Sequence, residues 1–283
     1  MKKRELLKKT ILLFLLIFFS VWTPFLYWNR SDHFKISKLV VDSSYRSEWD
    51  VEAKSSDVLN QGFSYFAQGA QSFVFLSEDG QYVLKFFKQN RWQHPWRMAC
   101  SKYILRKPEK IRLRQGFFHQ LNGASIAYKH AADLTGLVYA HLNPTDHLPI
   151  TTAFKDPFGL PFHLDINRYR FVIQKKAIPL ESAISDAVKA GDRELFQRLV
   201  QSFSHLIDSR ACRGIRNLDI KVVQNFGFIE NQALELDFGH YIYDEISSPN
   251  LEKEAFLSKF QEFLLKNYPD WIQPVHSRLV PKH

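Results

Sequence analysis

Three oxygen-bearing side chains in "LDIKVVQNFGFIENQALELDFG", Leu218 to Gly239, stand on a spacing that a folded core does not require. Asn225 follows Asp219 by six residues, and Asp237 follows Asn225 by twelve. A carboxylate at the first position could accept a hydroxyl proton. An amide oxygen and a carboxylate on the two strands of a short ribbon could converge on one Mg²⁺, a hard ion that prefers oxygen ligands and bridges nucleotide phosphates. This is the equipment of phosphoryl transfer, provided the chain also offers a phosphate-covering loop and a lysine.

Both have candidates upstream. In "AQGAQSFVF", Ala67, Gly69 and Ser72 fall where a G-x-G-x-x-G loop has its glycines, and small residues let backbone N–H groups approach phosphates. With one glycine of three, the stretch also fits an ordinary turn between strands. Lys85 lies 11 residues after Val74, in "YVLKFFK". A lysine inside a strand of Val, Leu and Phe either snorkels outward or meets an anion such as the α/β-phosphates of ATP.

The elements that must hold these groups follow from periodicity. Apolar and polar residues alternate on both sides of "SEDGQ", whose Asp79-Gly80 predicts a hairpin turn. From about Arg97 to Leu134 the spacing turns helical, and "TGLVYAHLN" and "RYRFVIQKKA" return to strands around a looped insert rich in Pro, Asp and Gly. Leu195, Leu199, Phe203 and Leu206 make a helical core stripe within Leu180 to Arg210, and "LEKEAFLSKFQEFLLKNYPDW" gives a last amphipathic helix.

Taken together, "AQGAQSFV", "VLK", "NLD", Asn225 and an intact "DFG" resemble the protein-kinase-like superfamily, over roughly Phe63 to Tyr243. The resemblance implies an α+β, two-lobed fold with a strand-rich first lobe (61–177) and a shortened helical second lobe (178–283). It implies ATP and Mg²⁺ as cofactors, with Lys85 on the α/β-phosphates beneath the Ala67, Gly69 and Ser72 loop. Asp219 would be the base, and Asn225 and Asp237 would hold the metal. "FVIQKKA" would be the last first-lobe strand entering a hinge, where backbone groups around Lys175 and Ala177 pair with adenine. Three departures accompany it. The gap from Asp219 to Asn225 is one residue longer than the family's, which leaves Gln224 as an alternative metal ligand. Asn217 replaces the usual histidine. For the acid that pairs with the lysine, the long helix offers Glu109 near its start and Asp133 near its end. Only 44 residues follow Gly239, too few for a peptide-docking platform. This points to a small-molecule, sugar or lipid hydroxyl as acceptor, or to an inactive pseudokinase serving as a membrane-tethered binding module.

The N-terminus adds a membrane. Thr10 to Trp28 are 19 residues without a charge, which at ~1.5 Å per residue reach about 28 Å, close to the ~30 Å hydrocarbon core. The reading is a single-pass helix over 10–28 between a basic flank (1–9) and a juxtamembrane connector (29–60); a cleaved signal peptide is the competing reading. Trp22, Tyr27 and Trp28 look like an interfacial belt, and Lys2, Lys3, Arg4, Lys8 and Lys9 keep the N-terminus cytoplasmic. The globular part would then lie across the membrane.

Charge and cysteine usage exclude other classes. Of the net +9, residues 1–30 hold six basic side chains and one acid, leaving 32 basic and 28 acidic side chains, a net +4. A nucleic-acid role gains little from that. Cys100 and Cys212 allow one disulfide but no Cys/His metal spacing, and no G-x-S-x-G or H-E-x-x-H context exists. "RWQHPWRMACSKYILRKPEKIRLR", with eight basic residues and Glu109 its lone acid, fits a solvated helix face or a contact with anionic lipid or glycan.

Overall fold

The computed structural model describes residues 11–16, 18–20, 22–23, 26–27, 30–39, 45–51, 57–88, 107–148, 152–243 and 249–272, with backbone alone for 107–117 and 249–250. Most of the basic stretch from Arg91 and the whole 1–9 flank lie outside these.

A seven-stranded antiparallel-rich sheet forms the first half, ordered β4-β7-β3-β2-β1-β5-β6. Strands β1 (Phe63–Gln68), β2 (Ser72–Ser77) and β3 (Tyr82–Phe87) form a meander. The Asp79-Gly80 turn sits where the alternation predicts it, with Gly80 at φ +72°, a left-handed value that a β-carbon disfavours. β3 pairs with β7 (Phe171–Lys175), and β7 with β4 (Leu137–His141). The Pro/Asp/Gly-rich insert is itself a hairpin, β5 (Thr152–Lys155) and β6 (Pro161–Leu164), which crosses to the opposite edge and lies parallel to β1. That return curls the sheet around an aromatic core. The Phe75 ring meets Phe34, Tyr65, Phe86, Phe154 and Phe162 at centroid distances of 5.4–6.3 Å, and burying each such ring stabilises by roughly 1.5–3 kcal/mol.

The described residues of the stretch read as a connector pack onto this sheet and the helix beside it. Leu39, Trp49 and Leu59 are buried, and Phe34 wedges among Tyr65, Phe73 and Phe75. Trp49 reaches helix α1 (Lys107–His130), stacking on Phe118 and donating from Nε1 to Asn122 Oδ1 at 2.6 Å.

After the short helix α2 (Ala132–Thr135) and the sheet, the chain passes through Lys176-Ala177 into β8 (Ile178–Pro179), α3 (Leu180–Lys189) and α4 (Arg193–Cys212). Asp192 caps α4, accepting from the Leu195 N–H, and Phe196, Leu199, Val200, Phe203, Leu206 and Ile207 line its buried face. Then come β9 (Ile215–Asn217), the one-turn helix α5 (Val222–Asn225), the ribbon β10 (Phe226–Ile229) and β11 (Gln232–Glu235), β12 (Tyr241–Tyr243), α6 (Pro249–Asn267) and α7 (Pro269–Ile272). α6 packs on α4 through Phe256, Phe260 and Leu264. The whole is mixed α+β, and the curled sheet meets the helix-rich half along a cleft-like junction where Lys85 of β3 bonds Leu236 O.

α1 closes the cleft from behind. At Gly123 it touches the Phe238-Gly239 backbone so closely that a β-carbon would stand 2.3 Å from Phe238 O. Because that obstacle is backbone, Gly123→Val should destabilise by at least ~2 kcal/mol, lowering the thermal midpoint by about 4–8 °C. Gly159→Ala, at an open surface turn, should cost less.

Candidate functional site

The side chains singled out by spacing converge on the cleft from separate elements. Lys85, on β3, donates from Nζ to Leu236 O at 2.8 Å, and its ammonium is within electrostatic reach of Asp237. Burial pushes its pKa down to about 8, against the pull of Asp237. No salt bridge engages Lys85 among the described residues. Glu109 lies at the start of α1, about 16 Å along the axis from Gln120, and its side chain lies outside the described residues. Gln120 is the α1 residue beside Gly239, with its Cγ 3.5 Å from where a β-carbon would be. Asp133 is engaged elsewhere, accepting from both Arg213 guanidinium nitrogens at 2.7 Å.

Asp219 and Asn225 face each other. Asn225 Nδ2 donates to Asp219 Oδ2 at 3.4 Å and Lys221 Nζ donates to the same oxygen at 2.8 Å. Burial works to raise the Asp219 pKa, but these two donors outweigh it and hold the carboxyl below its usual range. Asn225 is buried while Gln224 is exposed, so it is the asparagine that turns into the cleft. The two expected metal ligands sit just off the ribbon rather than on it. Asn225 ends α5 and Asp237 follows β11, and the Leu236 N–H to Asn225 O bond at 2.6 Å holds the two ends together. Among the described residues no cluster of three His, Cys, Asp or Glu groups could hold a metal. The oxygen donors that Asp237 and Asn225 bring to one end of the ribbon are of the hard type that suits Mg²⁺.

A buried ionic network fixes both aspartates. Arg210 donates to Glu235 and Glu252, all three at most 6 % exposed. Asn217 Nδ2 donates to Glu235 Oε1 at 2.7 Å and to Asp237 O at 3.0 Å, while its Oδ1 accepts from the Asp219 N–H at 2.9 Å. Tyr241 adds a hydroxyl donor to Glu235 at 2.6 Å. Burial would lower the Arg210 pKa, but the surrounding Glu235, Tyr241 and Glu252 carry it upward. The asparagine in place of a histidine therefore has a positional account, since one amide spans from Asp219 to Asp237.

Above the cleft, the Ala67–Ser72 stretch joins β1 to β2. Lys88 Nζ donates to Gly69 O at 2.6 Å and Gln68 Oε1 at 2.8 Å, and lies 4.2 Å over the Phe73 ring. Gln71 Oε1 reaches down to 3.1 Å from where Gly239 would carry a β-carbon. Gly69 has only ordinary contacts at a hypothetical β-carbon, so a side chain there would be accommodated. Lys175 ends β7, its N–H bonded to Gly136 O, and Ala177 packs against Gly227 at the crossing between the halves.

Lys221 and His240 escaped the spacing argument. Lys221 is two residues after Asp219 and its charge is also coupled to Asp237; His240 follows "DFG" and its charge acts on Asp219. A lone basic residue before "VV" was the available signal for the first.

No family model matches this chain, and no curated protein matches it. Among solved structures, one of WbdD at 2.2 Å resolution aligns at 16% identity and TM-score 0.36, over 69% of this chain and 37% of that one. A second, described as the bifunctional kinase-methyltransferase WbdD, aligns at 18% identity and TM-score 0.35, over 72% of this chain and 39% of that one. This chain spans about two fifths of the length of those structures.

Two outcomes follow from the electrostatics. Arg210→Met leaves two glutamates buried without their cation and should cost about 3–5 kcal/mol, read as a lower urea midpoint, with Glu235→Gln in the same chain recovering part. Lys85 has a folded pKa near 8 and an unfolded one of about 10.4, so the unfolded state binds the extra proton between those values. Its share of stability is lowest below pH 8 and recovers as pH rises to about 10.4. Lys85→Met should flatten that rise, measured by urea midpoints at pH 7.5 and 10.

Proposed function

We propose that this chain is a membrane-anchored, kinase-like phosphotransferase that moves the γ-phosphoryl group of ATP to the hydroxyl of a small molecule, sugar or lipid. The observation that carries the reading is that two distant stretches of chain, β3 with Lys85 and the 218–239 segment with Asp219, Asn225 and Asp237, meet at one place, where Lys85 Nζ bonds Leu236 O. Lys85, with the Ala67, Gly69 and Ser72 loop above it, would position the phosphates. Adenine would lie against the crossing at Lys175 and Ala177. Asn225 and Asp237 would hold Mg²⁺, which supplies charge neutralisation to the transferring group. The acceptor hydroxyl would donate its proton to Asp219, whose lowered pKa keeps it ionised and able to orient that hydroxyl. Lys221, bonded to Asp219, would add positive charge where negative charge accumulates on the transferred oxygens.

The anchor would be residues 10–28. Their described part is helical, and its apolar side chains stand in the open, Phe14 at 68% exposure and Leu16 at 60%. An all-round apolar helix left unburied is what a bilayer accommodates. Among the described residues no helix is long and apolar enough to cross a membrane; several positions of the segment lie outside them.

A second reading, a binding module without turnover, is favoured by the charge of residues 1–9, which by the positive-inside rule would put the domain away from cytoplasmic ATP, and by the Gln71 side chain beside Gly239. The two separate in one assay. With purified full chain, Mg²⁺ and γ-labelled ATP, transfer to water or added alcohols should be measurable. Asp219→Asn should lower it about 10²–10⁴-fold with nucleotide affinity kept, whereas Lys85→Met should weaken affinity. Nucleotide binding with no turnover in the native chain would select the binding module.

A further inference from the structure

The hairpin turn between β5 and β6, "DPFGLP" from Asp156 to Pro161, presents two large apolar side chains to the outside. Phe158 is 37% exposed and Leu160 62%. The turn is firmly built. Asp156 Oδ1 accepts from the N–H groups of Phe158 and Leu160 at 2.8 and 2.9 Å, the Asp156 N–H donates to Leu160 O, and Gly159 takes the left-handed backbone value of +79° that closes it. A turn that rigid cannot fold its apolar tip inward. Its base is equally fixed, since Phe154 on β5 is buried against Phe63, Phe75 and Phe86.

Tyr27, near the end of the apolar N-terminal helix, stacks on Phe158 at 5.1 Å with ring planes 14° apart. Only seven residues further on, Phe34 is wedged into the aromatic core, the Ser31 N–H bonds back to Tyr27 O, and Tyr65 donates to Asp32. The helix end and the hairpin tip are thus held side by side by packing on both.

From this juxtaposition we propose that the Phe158–Leu160 tip is a second membrane contact, inserting into the interfacial zone of the bilayer beside the 10–28 helix and fixing how the sheet half stands on the membrane. The inference rests on the membrane reading of residues 10–28. Aromatic and aliphatic side chains at the end of a span sit at headgroup level, where rings with one apolar face are favoured. Two exposed apolar groups adjoining such an end are covered by lipid without any further partner. The bilayer therefore meets the curled sheet at its β5–β6 edge, and the domain cannot tumble on a loose tether.

The test uses the full chain with Cys100→Ser and Cys212→Ser, reconstituted in phosphatidylcholine vesicles. An environment-sensitive fluorophore is attached at Phe158→Cys or, as the exposed reference on α4, at Gln201→Cys; both must melt as the unlabelled chain does. The expected result is a blue-shifted emission at 158, quenched by spin-labelled lipid at least twofold more than at 201. Flotation with the vesicles while position 158 stays unquenched would overturn the hairpin contact and leave the anchor standing. A blue shift without lipid quenching would assign the tip to cover by the chain's own helix end or by a second copy and overturn the contact as well. A chain that fails to float would overturn the span, and the inference with it.

Discussion

The Arg210 ion network is the constraint on which the cleft depends. One guanidinium from α4 holds glutamates from β11 and α6, and Asn217 extends the same network to the backbone of both Asp219 and Asp237. Removing three charged groups from water is expensive and is offset only when every partner is present with good geometry. That all-or-nothing character is useful here. It allows a single relative placement of β9, the ribbon and β12, and the two aspartates lie at the ends of those elements. The hydrophobic contacts around Phe203, Phe256 and Phe260 could tolerate small slips, whereas the network could not.

The second constraint is steric. α1 approaches the Phe238-Gly239 backbone through Gly123, and the Trp49 indole anchors the outer side of the same helix to the segment ahead of the sheet. Trp49, the helix behind the cleft and the aspartate of "DFG" are therefore one packed unit. A displacement of the early segment would be felt at Asp237, through α1, over a short run of direct contacts.

Much of the candidate site was legible because its spacing is set by short, local elements. A six-residue step from Asp219 to Asn225 spans one tight turn and one helical turn, and a four-residue-per-strand ribbon returns the chain to Asp237, so the convergence is nearly forced once the ribbon is recognised. The Asp79-Gly80 hairpin and the α4 stripe were legible for the same reason. What spacing could not show depends on distant pairings. The insert after β4 has the Pro and Gly of a loop, and only its return to β1 turns it into a strand pair. The mostly polar look of residues 29–60, apart from the apolar patch around Leu39, hides Phe34 and Trp49, whose packing is decided by partners more than 30 residues away. Glu109 is acidic and lies on α1, with its side chain outside the described residues; which turn of α1 comes against Gly239 is set by Gly123, and no periodicity reveals that. Lys221 was overlooked because a lone lysine carries no pattern.

Thermal melting decides whether this site takes up a magnesium nucleotide through Asp237, as proposed. The full chain in detergent would be melted with and without ATP, Mg²⁺ or both, beside Asp237→Ala. A nucleotide site there gives a saturable rise in the midpoint that requires Mg²⁺, amounting to about 2.7 kcal/mol of stabilisation at a hundredfold excess over the dissociation constant, and that vanishes in the variant. A folded native chain whose midpoint ignores ATP and Mg²⁺ at millimolar concentrations would contradict it.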